Sequence, residues 1–137
     1  MDNKLRELIV VNTSVGDVIE NSEFYSLIAE LDIRLPDDYI EFLKEFNGCE
    51  GSLSDNSYIA FWSLNELKKN NEMYEVNEFA PELFLIRSDG GGSAYGFKRD
   101  DLTYIEVPFI GMSLEEAEYP GNSFEEFVYN LVNKNGQ

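Results

Sequence analysis

Ile86-Arg87-Ser88-Asp89-Gly90-Gly91-Gly92-Ser93-Ala94-Tyr95-Gly96-Phe97 lies in the middle of the 137-residue chain and sets three consecutive glycines between two apolar runs. Either the glycines cradle a phosphate ahead of a helix, or they turn the chain back between two strands. The two readings give different folds. A P-loop needs Lys followed by Ser or Thr after its last glycine, and a helix whose first N–H groups face the anion. Here Gly92 is followed by Ser93-Ala94-Tyr95, a stretch of strand character, and a GxGxxG fingerprint fits in no register. Glycine holds positive φ without steric cost, so the stretch reads as a hairpin turn joining strands at 83–87 and 94–98. Asp89 is placed to orient that turn by accepting backbone N–H groups two residues on.

Working outward, the segment 103–109 reads as a further strand, with Tyr104, Glu106 and Pro108 on one face and Ile105 and Val107 on the other. Before the hairpin, Tyr58-Ile59-Ala60-Phe61 reads as a short strand. Ser63 with Glu66 three residues later is a capping box for a helix reaching about Tyr74. Leu35-Pro36 opens the plainest helix of all. Pro36 suits the first turn, Asp37 and Asp38 complement the positive helix end, and Asn47-Gly48 supply the stop. Its apolar residues Tyr39, Ile40, Phe42, Leu43 and Phe46 make one face. Asn21 or Ser22 caps an earlier helix through Leu31, and Ser123 with Glu126 caps the last one, which aligns Phe124, Phe127, Val128 and Leu131. The segment from Asp2 to Glu20 fits either a helix or an edge strand. The order predicts one α+β domain over residues 1–137, a central, mainly antiparallel sheet packed against helices. Its expected core includes Tyr39, Phe42, Leu43, Phe46, Leu85, Phe97, Ile105, Phe124 and Phe127.

Composition narrows the chemistry. The chain has no histidine, which removes Ser–His and Cys–His pairs and the commonest metal ligand. Its one cysteine, Cys49, allows neither an intrachain disulfide nor a thiolate zinc site, and its acidic surroundings favour an inert thiol. Asp55-Asn56-Ser57 lacks the sixth-position glycine and closing glutamate of a calcium loop. Among 27 acids, chance carboxylate pairs are everywhere, so they do not argue for a glycosidase. We expect no catalytic residues, no metal and no cofactor. The opening residues lack the pattern of a signal peptide, and Leu8-Ile9-Val10-Val11 is far too short for a membrane span, so a cytoplasmic protein is expected.

The net charge is −17, which repels nucleic acid and anionic membranes. Between Arg99 and Lys134 there is no base, while Asp100, Asp101, Glu106, Glu115, Glu116, Glu118, Glu125 and Glu126 all fall there. Such a run either solvates the surface or meets a basic partner.

In order and spacing, several motifs resemble the SUKH superfamily, which includes fungal cell-wall-synthesis regulators and bacterial immunity proteins. They are Leu35-Pro36-Asp37-Asp38-Tyr39, Phe42-Leu43, Asn47-Gly48, Phe61-Trp62 with Leu64 and Leu67, Phe84-Leu85-Ile86, Asp89-Gly90-Gly91-Gly92, Tyr95-Gly96-Phe97, and Ser123-Phe124 with Phe127. The resemblance spans about residues 22–131, with Lys98-Arg99 before Asp100 as a small departure. It implies a non-enzymatic binding domain, in bacteria an antidote to a toxin such as a nuclease. The alternative it implies is a regulatory or scaffolding module with no toxin partner. An acidic protein fits the first role on independent grounds, since a nuclease presents a basic groove that a charge mimic occupies. The expected partner-binding residues are Glu115, Glu116 and Glu118 on the loop before the last helix, Asp89 at the glycine turn, and Trp62 and Tyr95 as apolar anchors if they are exposed. Trp62 reads first as a core residue. The oligomeric state is open.

Overall fold

The computed structural model describes residues 3–31, 33–52, 58–88, 92–108 and 114–135. Helix α1 (Asn3–Asn12) runs directly into strand β1 (Thr13–Val15), so the ambiguous first segment holds both of the structures it fits. Helices α2 (Asn21–Glu30) and α3 (Asp37–Phe46) follow, then strands β2 (Cys49–Ser52) and β3 (Tyr58–Phe61). Helices α4 (Leu64–Met73) and α5 (Val76–Phe79) lead to strands β4 (Leu83–Ser88), β5 (Ser93–Lys98) and β6 (Tyr104–Pro108). A 3-10 turn (Leu114–Glu116) and helix α6 (Phe124–Asn135) complete the order. The described strands form one sheet, β1-β2-β3-β4-β5-β6, antiparallel at every pairing. This is the expected α+β domain, built as a simple meander.

The glycine stretch is a turn between antiparallel strands. Ser88 pairs with Ala94, and β5 rather than a helix begins at Ser93. Gly90 and Gly91 lie outside the described residues, and Gly92 is not in the left-handed region, so positive φ is not found where it can be seen. The sheet needs a different glycine more. A Cβ at Gly96 would sit 2.0 Å from the Phe84 carbonyl oxygen, so the β4–β5 approach excludes any side chain there.

The two faces of the sheet are covered unequally. On the inner face, Tyr39, Phe42, Leu43 and Phe46 of α3, Phe124 and Phe127 of α6, and Leu5 and Ile9 of α1 pack with Phe61, Phe84 and Phe97. All nine expected core residues are buried. Phe42, for example, lies 4.7 Å from the Phe124 ring and 5.5 Å from that of Phe61. A smaller outer cluster joins Val76 and Ala80 to Leu83, Leu85, Ala94, Ile105 and Val107. Strand β6 therefore has both faces covered: the expected alternation holds, but Glu106 and Tyr104 lie buried rather than facing water.

Caps fix the helix ends. The Ser63–Glu66 capping box is present, and the Glu126 N–H donates to Ser123 Oγ at 3.1 Å. Asn47 closes α3 in the left-handed conformation and accepts the Leu64 N–H on Oδ1 at 2.8 Å, so one buried side chain ends a helix and begins another. Two details differ from the sequence reading. Glu20, not Asn21 or Ser22, takes the N-cap position of α2, and Pro36 precedes α3 rather than lying in its first turn. Asp38 does more than complement a helix end. Its carboxylate accepts the Tyr104 hydroxyl at 2.8 Å and the Phe124 N–H at 2.6 Å, tying α3 to β6 and to the start of α6.

Candidate functional site

Beyond the outer cluster, the outer face of β1, β2 and β3 carries no described helix. Strand alternation sends Cys49, Ile59 and Phe61 inward, and register places Ser14, Glu50 and Ala60 together on the outer side, with Ser52 beside Tyr58. Tyr58 is about half exposed and its phenol donates to the Glu50 carboxylate. That hydrogen bond, more than burial, raises the phenol above its ordinary titration range.

Trp62 leaves β3 at the margin between the open and the covered halves of this face. Its backbone N–H donates to the Ile86 carbonyl at 3.2 Å, its ring lies 5.9 Å from that of Tyr74, and it packs against both apolar clusters. It is half-buried, neither wholly core nor free anchor. Beside it a cleft of about 390 Å³ is lined by Ser14, Val15, Gly48, Glu50, Trp62 and Glu66 among others. The cleft sets Trp62 beside two acidic residues, Glu50 and Glu66. Such a surface suits a cationic side chain, which gains charge pairing and a π face together.

The expected glutamates lie toward the other end of the outer side. Glu115 and Glu116 are in the 3-10 turn, and Glu115 is exposed. Exposed Glu118 exchanges backbone hydrogen bonds with Glu106 at 2.8 Å in each direction. The segment expected as a loop is therefore latched to edge strand β6. Leu114 and Ala117 pack on the same outer cluster as Trp62, which relates the glutamates to the tryptophan through shared contacts. Asp89 lies outside the described residues.

Tyr95 requires a correction. It is 3% exposed, with the Arg87 guanidinium 4.4 Å over its ring and Phe127 6.2 Å away, so it belongs to the core and the exposure set as the condition for an anchor is not met. Arg87, which sequence reasoning passed over, is 1% exposed and also covers the Phe61 ring at 5.5 Å. The register runs Phe61, Arg87, Tyr95, Glu106 across four strands. Ser93 Oγ donates to Glu106 at 3.1 Å. A register shift between Leu85 and Arg87 breaks simple alternation there, which is why the periodicity of β4 gave no sign of a buried cation.

Cys49 is buried, and loss of solvent pushes its thiol up to about 12, against which the Thr13 hydrogen bond and the Arg87 charge act only partly. Among the described residues no three Cys, Asp or Glu side chains are grouped to hold a metal ion, and no helix is long and apolar enough to cross a membrane.

The family model of the SMI1 / KNR4 family (SUKH-1) matches residues 19–130. The chain belongs to that family. No curated protein matches it. In this SUKH-1 chain the Leu35–Tyr39 motif is architectural: Leu35 and Tyr39 are core, and Asp38 is the tie between α3, β6 and α6. The matched region begins after α1 and β1.

Proposed function

We propose that this SUKH-1 chain is an immunity-type binding protein that neutralises a basic toxin domain, a nuclease, by covering it rather than by catalysis. The observation that carries the reading is the outer face, where Trp62 lines an open cleft beside Glu50 and Glu66 in a chain of net charge −17. Glu115 and Glu118 extend the acidic surface along the same side. Trp62 supplies apolar contact area at the centre, while the peripheral carboxylates steer a cationic partner and raise its association rate. Family membership supports the reading, because SUKH proteins include toxin antidotes.

The test is capture of the product of the adjacent upstream gene, followed by kinetics on the pair. Reversing Glu115, Glu116 and Glu118 to lysine is expected to slow association several-fold at low salt, with the difference vanishing as salt screens the charges. Trp62→Ala is expected to speed dissociation instead. Binding and protection unchanged by both variants across a salt series would place the interface elsewhere. Capture of a partner with no toxic activity would favour a regulatory module.

A further inference from the structure

We propose that the basic partner docks by adding an extended, cationic segment to edge strand β1, an inference that rests on the binding role proposed above and names how the partner is held. Strand β1 ends the sheet, with no strand on its outer side among the described residues, and Thr13-Ser14-Val15 has none of the charges or prolines that blunt exposed edges. Backbone alternation identifies the open groups. The Gly16 N–H donates to the Gly48 carbonyl at 3.2 Å, and Val15 lies opposite Cys49 in the register. In an antiparallel pair, alternate residues bond to a given neighbour, so the Val15 N–H and C=O turn away from β2. Val15 is 46% exposed. The same strand borders the cleft, where Ser14 and Val15 lie with Glu50, Trp62 and Glu66. Ser14 is small, and the register sets Glu50 directly across from it. A side chain beside Ser14 on an added strand is two strand spacings, about 10 Å, from Glu50, within the combined reach of an arginine and a glutamate.

Charge selects the occupant. Among the described residues lining the cleft there are two acids, Glu50 and Glu66, and no base. Exposed Asp17 and Glu20 follow β1, and residues 7–33 contain six acids and no base. The nearest base before the strand, Arg6, is paired with Glu45 at 2.7 Å. A second copy of this chain would bring the same acids to the contact and be repelled. A strand carrying arginine or lysine gains main-chain hydrogen bonds along β1 and charge pairing over the cleft together, with the Trp62 ring beside it.

A peptide of four Arg-Val repeats, titrated into isotope-labelled full chain, tests this by NMR. Saturation is expected to shift the resonances of β1, Glu50 and Trp62 and to slow exchange of the Val15 amide by about tenfold or more. The same peptide N-methylated at every residue keeps its charge and side chains but cannot pair, and is expected not to bind. Val15→Pro removes an outward N–H without breaking a β1–β2 bond, so it should keep the melting temperature and weaken the peptide by about tenfold or more, while Val15→Thr binds as wild type. No binding by the Arg-Val peptide, or equal binding by its N-methylated form, overturns the proposal. So does wild-type affinity in V15P, and so does Val15 protection that grows with the chain's own concentration in the absence of peptide, which assigns the edge to a second copy. The two readings fail separately. Pairing of the peptide without capture of any toxic partner sinks the toxin reading alone, whereas a captured toxin that binds V15P as tightly as wild type sinks strand addition alone.

Discussion

Asp38→Ala is expected to reveal how much of the domain hangs on one carboxylate. The side chain accepts from the Tyr104 hydroxyl at 2.8 Å and from the Phe124 N–H at 2.6 Å. Tyr104 is 1% exposed, and burial, followed by the Asp38 charge, raises its phenol far above its ordinary range, so it remains a neutral donor. Leaving that buried donor unsatisfied costs about 1–3 kcal/mol. Losing the acceptor at the first N–H of α6 costs about 1 kcal/mol more, the usual worth of an N-terminal cap. The sum is about 2–4 kcal/mol, which corresponds to a fall of roughly 6–16 °C in melting temperature for a chain of this size. The assay is urea and thermal unfolding of wild type, D38A, Y104F and D38A/Y104F. Once Asp38 is gone, Tyr104→Phe removes a stranded hydroxyl, so the double variant should be more stable than the sum of the single losses by about 1 kcal/mol. A fall in D38A within about 1 °C, or additive effects in the cycle, would refute the reasoning, since the bonds would then contribute nothing to the folded state.

Tyr39→Phe should leave stability unchanged or raise it by up to about 1 kcal/mol, because the Tyr39 hydroxyl is buried with no hydrogen-bond partner among the described residues, and chemical denaturation measures this directly. Gly96→Ala should prevent stable folding, since the added Cβ meets the Phe84 carbonyl at 2.0 Å; a native circular-dichroism spectrum with unchanged melting would contradict that placement. The Cys49 thiol has a folded value of about 12 against an ordinary 9.0, so the folded state binds the proton more tightly. Its contribution to stability is therefore fully present below pH 9 and is lost as pH rises toward 12, and Cys49→Ser should flatten that alkaline decline. At pH 8 the thiol should resist alkylation until denaturant is added, and rapid labelling of native protein would count against its burial.

The local signals were legible where chemistry is local. The Ser63–Glu66 box, the α3 face from Tyr39 to Phe46, the α6 face from Phe124 to Leu131, and the turn between β4 and β5 are each set by residues within a few positions of one another. Strand β2 escaped notice because Cys49-Glu50-Gly51-Ser52 has little apolar alternation; its pairing with β3 defines it. Of the candidate site, Trp62, Glu115 and Glu118 were named from sequence, whereas Glu50 and Tyr58 were not, since only register sets them on one open face.

The sequence by itself determined the α+β class, the Ser63–Glu66 and Ser123 caps, the absence of histidine chemistry and the strongly acidic charge, because each follows from neighbouring residues or from composition alone. Only the tertiary structure decided that Tyr95 is core, that Arg87 and Glu106 lie inside, and that Asp38 reaches residues 66 and 86 positions away. Alternation tells which side chains share a face of a strand, but whether that face meets water or a helix depends on what the rest of the chain lays across it.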